Sequence, residues 1–407
     1  MKCRNCNYQI KDNFLDLGHA PPSNAYLSEH DLLKVEKYFP LKVGVCRNCW
    51  LVQTEDYIAA DNLFTKDYAY LSSTSQSWLK HCKKFVNYSI DEFNLTSKSL
   101  VIEVASNDGY LLQYYKNKGI PCLGIEPTEY TAKIAAKKNL NIINEFLTLK
   151  NAKIISTKEG KADLIIGNNV YAHVPDIKDF TLAIKELLNE NGIISLEFPH
   201  LMQLIKGKQF DTIYHEHFSY LSFTTVFDIF KNSGLRIFDV EELETHGGSI
   251  RVLGCLQNSH HIEKSSVQKL LDREKKFGIK NIKTYESFQD DAELIKNSLI
   301  ELLLDIKKEN KVVMGYGAAA KGNTLLNYAG IKSDLIKFVF DNAKSKQNKY
   351  LPGSHIKVLD PREIAEKKPD YLLILPWNIS KEIMDSLHRF REKGIRFITV
   401  IPEVRIF

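Results

Sequence analysis

The densest group of acid and base side chains in the sequence is Asp211-Thr-Ile-Tyr-His-Glu-His-Phe-Ser-Tyr220. His215 and His217 are two apart, as are Tyr214 and Glu216, so an extended segment would point each pair to one side. A zincin pattern needs histidines four apart on a helix, and this spacing does not supply it. An imidazole beside a carboxylate and a phenol predicts proton transfer instead, because His titrates near neutrality and Glu or Tyr can orient or tune it. Histidines buried in a loop with backbone partners are the alternative. The second group is sulfur. Cys3, Cys6, Cys46 and Cys49 form two C-x-x-C pairs, each placing two thiolates on one tight turn. Two such turns close a tetrahedron around zinc and leave no open position, so the predicted metal is structural. It would also stabilise a segment too short to fold well alone. The total of seven cysteines is odd, and Cys82, Cys122 and Cys255 are scattered, which argues against a disulfide framework.

Two stretches resemble nucleotide-binding loops. Glu103-Val-Ala-Ser-Asn-Asp-Gly109 reads as a strand ending in Glu, a tight loop, and a helix after the glycine. Glu126 ends the next predicted strand at the spacing where a carboxylate takes two ribose hydroxyls. Only Gly109 remains of a G-x-G-x-x-G loop, which argues against a pyrophosphate and for an adenosine cofactor without phosphates; S-adenosylmethionine fits. Asn168-Asn-Val-Tyr-Ala-His173 follows another strand, where such sheets keep their ligands. His173 there is a catalyst or a packed core histidine. Further on, Gly315-Tyr-Gly-Ala-Ala-Ala-Lys321-Gly-Asn-Thr has two early glycines, Gly315 and Gly317, that let backbone N–H groups approach phosphate, with Lys321 adding charge. Asp341 follows near the spacing of a ribose-binding acid.

The elements that position these groups follow from periodicity. Residues 1 to about 65 are short apolar pieces broken by Gly18, Pro21, Pro22 and Pro40. Strands are predicted over Ser99–Glu103, Cys122–Glu126, Asp163–Gly167 and Gly192–Glu197, with helices over Tyr110–Asn117, Thr131–Lys138 and Thr181–Asn189 between them. That alternation means parallel strands with helical crossovers. Residues 262–309 are charged and helix-periodic, with Ile295, Leu299, Leu302, Leu303 and Ile306 on one face. Strands resume at Lys311–Gly315, Leu335–Phe340, Tyr371–Leu375 and Arg396–Val400. The expected fold is α/β: a small zinc-binding domain over 1–65, a central Rossmann-like domain over 66–275, and a second α/β domain over 276–407.

Composition bounds the function. With 407 residues, 44% apolar and 26% charged, the chain is neither disordered nor low in complexity. No apolar run approaches a membrane span, and no signal-peptide core is present, so a cytoplasmic, unexported protein is expected. A net charge of +5 is mild for this length, and nucleic-acid binding is not indicated.

The ordered motifs C-x-x-C…C-x-x-C, E-V-A-S-N-D-G, N-N-V-Y-A-H-V-P-D, E-F-P-H, F-D-T-I-Y-H-E-H-F-S-Y, H-G-G-S-I-R and G-Y-G-A-A-A-K-G-N-T together resemble the sugar C-methyltransferases. These act on nucleotide-linked keto-deoxysugars, as in the family that makes mycarose and tetronitrose, and the likeness spans nearly the whole chain. It implies a zinc-binding amino-terminal domain, an S-adenosylmethionine-dependent methyltransferase domain, and a carboxyl-terminal α/β domain that helps hold the nucleotide sugar. It further implies zinc ligation by Cys3, Cys6, Cys46 and Cys49, and cofactor binding around Glu103, Asn107, Gly109, Glu126 and Asn168. His217 matches the expected base, with Glu216 and Tyr214 in the same catalytic segment, and His173 and Tyr68 match further active-site positions. Lys321 and Asn323 match the stretch that meets the diphosphate, beside Gly317. No role is carried over to His200. Two other activities compatible with parts of the sequence are a nicotinamide-dependent oxidoreductase built on Gly315–Lys321 and Asp341, and a sugar O-methyltransferase. A non-enzymatic zinc-ribbon nucleic-acid binder with α/β appendages would bind DNA or RNA with steep salt dependence, which the weak net charge disfavours.

Overall fold

A computed structural model of the protein describes residues 1–59, 63 and 71–407. Tyr68 lies outside the described residues. Strand Val101–Val104 (β4) is buried at every position, Glu103 included, as a strand covered on both faces requires. With Cys122–Ile125 (β5), Asn141–Ile143 (β6), Ala162–Asn168 (β7), Leu188–Pro199 (β8), Leu235–Leu243 (β10) and Ser249–Leu256 (β11), β4 forms a seven-stranded sheet of order β10-β11-β8-β7-β4-β5-β6. Strands β4 to β8 run parallel, whereas β11 is antiparallel to both β8 and β10. The chain leaves β4 towards β5 on one side and later fills β7 on the other. The carboxyl ends of β4, β5 and β7 therefore flank the crevice where such sheets take ligands.

The helix expected over Thr181–Asn189 starts earlier, at Ile177, and stops at Leu187. Asp176 caps it by accepting from the N–H groups of Lys178 and Asp179, and the chain passes directly into β8. Asn189–Gly192 is thereby taken into the strand as an irregularity in its pairing with β7. Helix Ser265–Phe277 ends at Gly278, whose left-handed backbone suits a glycine C-cap, and helix Phe288–Lys308 follows. Ile295, Leu299, Leu303 and Ile306 are buried along that second helix, and Leu302 is partly buried.

Strands Val313–Tyr316 (β12), Phe338–Phe340 (β13), Lys357–Leu359 (β14), Tyr371–Ile374 (β15), Arg396–Thr399 (β16) and Arg405–Ile406 (β17) make a second sheet, order β14-β13-β12-β15-β16-β17. It is parallel except for β17. The amino-terminal pieces form an antiparallel sheet of Asp12–Ala20 (β1), Phe39–Val45 (β2), Val52–Thr54 (β3) and Ser219–Tyr220 (β9), the last lent by the central domain. Its core is shared: Phe14 stacks on Phe288 at 4.6 Å and meets Tyr285 edge-on at 5.6 Å. Among the described residues no helix is long and apolar enough to cross a membrane.

Candidate active site

The loop after β4 is built by backbone rather than by side chains. Ala105, Asn107 and Gly109 all have positive φ (57°, 48° and 74°). A Cβ at Gly109 would sit 2.2 Å from Leu140 Cδ1, so glycine is required there by both conformation and space. The Asn107 N–H donates to Glu126 Oε2 at 2.8 Å, and Thr128 N–H donates to the other oxygen at 2.9 Å. Asn107 Oδ1 accepts from Ser72 N–H at 2.9 Å. Glu126, Asn107 and Asn168 line one cavity of about 600 Å³, and Asn168 Oδ1 is buried with no hydrogen-bond partner among the described residues. Glu103 and Gly109 lie behind this wall. Burial raises the Glu103 carboxyl well above the usual range, with the Tyr110 hydroxyl opposing.

The same cavity reaches the histidine-rich segment. His217 N–H donates to Tyr214 O at 2.9 Å, so residues 214–217 form a turn and not an extended run. The alternation read from the sequence is thereby corrected. Tyr214 folds back onto His217, while His215 turns away to donate from Nε2 to Pro40 O at 3.2 Å, beside Phe39. Both nitrogens of His217 are specified. Nδ1 lies 2.9 Å from Thr212 O, which can only accept, so Nδ1 carries the hydrogen. Nε2 keeps its lone pair and accepts from the Tyr214 hydroxyl at 2.8 Å. Burial, and next the nearby His173, hold the His217 pKa well below 6.5, so the ring is neutral. His173 donates from Nδ1 to Glu216 O at 2.7 Å, and its ring lies 4.6 Å from that of His217. Burial lowers its pKa to about 4. Both oxygens of Glu216 accept from Asn24 Nδ2 at 2.8 Å, which brings the amino-terminal segment into the wall.

The carboxyl-terminal domain closes the cavity through Ala319, Ala320, Lys321 and Lys346. Lys321 Nζ donates to Asn378 Oδ1 at 2.7 Å and lies 4.8 Å over the Trp377 ring. Trp377 Nε1 in turn donates to buried Asp211 at 2.7 Å. Gly317 and Asn323 do not face the cavity. Gly317 (φ 84°) packs against Pro376, and Asn323 Nδ2 donates to Ser23 O at 2.6 Å. Asp341, read as a ribose acid, accepts from the Ala318 and Ala343 N–H groups, each at 2.7 Å, and so ties the loop after β13 to the loop after β12.

Sequence reasoning missed several wall residues. His246, with φ 56° and a pKa lowered to about 4 by burial, meets Trp78 edge-on at 5.5 Å; the H-G-G-S-I-R motif was its only signal. Asn24 and Lys346 carry no local signal. His200 pairs with Glu274 at 2.6 Å in the interior, away from this cavity.

The four cysteines meet as spacing requires. Their sulfurs all lie within 4.8 Å of one another, with Cys3–Cys49 and Cys6–Cys46 at 3.5 Å. Zinc–sulfur bonds of about 2.3 Å set tetrahedral sulfur separations near 3.8 Å, so this donor set fits zinc. The two turns match: Asn7 N–H donates to Cys3 O and Trp50 N–H to Cys46 O, with φ of 59° at both Asn7 and Trp50.

Three family models match successive parts of the chain: a zinc binding domain over 3–64, a methyltransferase domain over 79–240, and a C-methyltransferase C-terminal domain over 244–402. The C-methyltransferase NovU of Streptomyces niveus is 36% identical over 405 residues, covering 100% of this chain and 96% of that one. Among solved structures, an S-adenosylmethionine-dependent methyltransferase from Clostridium acetobutylicum aligns at 14% identity and a TM-score of 0.35, over 44% of this chain and 92% of its own. Magnesium protoporphyrin IX methyltransferase from Synechocystis, with S-adenosylmethionine bound, aligns at 15% identity and a TM-score of 0.33, over 43% and 78%.

Proposed function

The chain belongs to the C-methyltransferase family, and from that premise we propose that it methylates a carbon of a nucleotide-linked 4-keto-deoxysugar, at carbon 3 beside the ketone. S-adenosylmethionine, when bound, supplies an electrophilic methyl group. Glu126, Asn107 and Asn168 are the residues to hold its adenosine, since they border the cavity at the carboxyl ends of the parallel strands. Cys3, Cys6, Cys46 and Cys49 would hold a structural zinc, with no position left open for water.

Carbon is a poor nucleophile until it is deprotonated, so the reaction needs a base, a polarised neighbouring carbonyl and an aligned donor. His217 is the base. Its Nε2 lone pair is preserved by the Nδ1 hydrogen bond to Thr212, and the ring is neutral. In this structure the Tyr214 hydroxyl occupies Nε2, so a substrate must displace it. The freed phenol can then donate to the enolate oxygen, which accumulates charge as the proton leaves. Lys321 supplies the positive charge expected opposite a substrate diphosphate.

The observation that carries this reading is that neutral His217 and the Glu126–Asn107 loop border the same cavity. Incubation of the dTDP-linked 4-keto-deoxysugar precursor in heavy water tests it. The intact enzyme should exchange deuterium into carbon 3 and yield a C-methyl product, and His217→Asn should slow both by about 10²–10⁴-fold while S-adenosylmethionine still binds. An O-methyl signal in the product, or full exchange in the variant, overturns it.

A further inference from the structure

Arg4 stands between Cys3 and Cys6, its side chain only 4% exposed, and its guanidinium bridges two remote parts of the molecule. Nη2 donates to Thr54 O at 2.8 Å and Nη1 to Pro175 O at 3.0 Å. Nη2 also pairs with Asp56 Oδ1 at 2.8 Å, and the guanidinium carbon lies 5.3 Å from the centre of the Phe218 ring. Both carbonyl anchors belong to segments that reach the backbone of a site histidine. Thr54 donates its hydroxyl to His217 O at 3.1 Å and its N–H to Phe218 O at 3.1 Å. Pro175 stands two residues after His173 in the loop that lines the cavity. The two histidine rings meet edge-on with centroids 4.6 Å apart, and the segments carrying them are tied to one guanidinium.

We propose that Arg4 is a positioning residue: by holding Thr54 and Pro175 together it sets the approach of His173 to His217. The inference rests on the proton-transfer role given to His217 above. The base of the fork is itself fixed, because Arg4 N–H donates to Gln53 Oε1 at 2.9 Å between the two cysteines. A planar fork can hold two divergent carbonyls, whereas a lysine offers one compact charge and cannot span them in the same way. The cysteine turns, in this arrangement, form the mount of a clamp whose jaws carry the imidazoles.

The test uses the full-length, zinc-loaded chain with Arg4→Gln, Arg4→Lys, Thr54→Val and Thr54→Ser. Imidazole ¹⁵N spectra, assigned by the signals lost in His217→Asn and His173→Asn, report tautomer and hydrogen bonding without any substrate. Arg4→Gln and Arg4→Lys should displace both histidines' signals at unchanged zinc content. Thr54→Val should displace those of His217, and Thr54→Ser should return them to the wild-type positions. With the sugar precursor, kcat should fall by about 10–100-fold in Arg4→Gln, with KM for S-adenosylmethionine unchanged. Wild-type imidazole signals in Arg4→Gln overturn the proposal. If that variant fails to fold, wild-type signals in Thr54→Val do the same. Displaced signals in a protein that never methylates the sugar leave the clamp standing and overturn only the proposed substrate.

Discussion

An imidazole accepts a proton only while it is neutral, and burial is how this chain keeps His217, His173 and His246 in that form. The same burial sets a pH dependence of stability. Unfolded histidines take up protons near pH 6.5, whereas His173 and His246 in the fold resist until about pH 4 and His217 resists as well. Between those limits the unfolded chain binds more protons, so stability is full above about pH 6.5 and falls as pH drops towards 4. Each tenfold loss of proton affinity on folding is worth about 1.4 kcal/mol, so the three rings drive a decline that buried Glu103 and Asp211, whose carboxyls burial raises, oppose in part. Urea unfolding at pH 7, 5.5 and 4.5 should show it, and His246→Gln should flatten it. An equally steep decline in that variant would remove His246 from the account.

At the scale of elements, the loop after β4 depends on one backbone position. Gly109→Ala forces a Cβ into left-handed conformation and against Leu140, a combined cost of about 2–4 kcal/mol. Thermal melting should report that loss, and calorimetry should report weaker S-adenosylmethionine binding, since Asn107 holds Glu126 from two residues away. A variant with unchanged affinity would detach the loop from the cofactor. This strand–loop–helix was legible in the sequence because buried parallel strands leave mostly apolar runs, here interrupted only by Glu103, and the glycine marks the turn. The two cysteine turns were legible because metal ligation fixes residue type and spacing together. The 214–217 turn was not. Two residues of alternation look the same in a strand and in a turn, and only the hydrogen bond from His217 N–H to Tyr214 O decides. Nor were Asn24 and Arg4 legible, because their partners Glu216 and Pro175 lie 192 and 171 residues away.

For the whole molecule, the cavity is a joint product of three units, and the four-cysteine cluster lies in the smallest of them. Asn24 reaches Glu216, Thr324 Oγ1 donates to Ile213 O at 2.9 Å, and Trp377 donates to Asp211, so all three units converge on residues 211–217. Strand β3 follows the second cysteine turn directly and pairs with β9, which begins two residues after His217. Of the residues proposed to hold adenosine, Asn107 and Glu126 stand on loops at the carboxyl ends of the seven-stranded sheet and Asn168 ends β7. Metal loss should therefore separate two properties that a purely local site would lose or keep together. Structural zinc contributes about 10–16 kcal/mol of apparent binding energy in small domains, enough to decide whether β1–β3 stay folded. In Cys46→Ser/Cys49→Ser, methyl transfer should vanish, and limited proteolysis should cut first within the amino-terminal sheet. S-adenosylmethionine should still bind within a few-fold of the intact protein by calorimetry. Full methyl transfer by a zinc-free variant would mean that residues 211–217 hold their shape without the sheet that β9 completes.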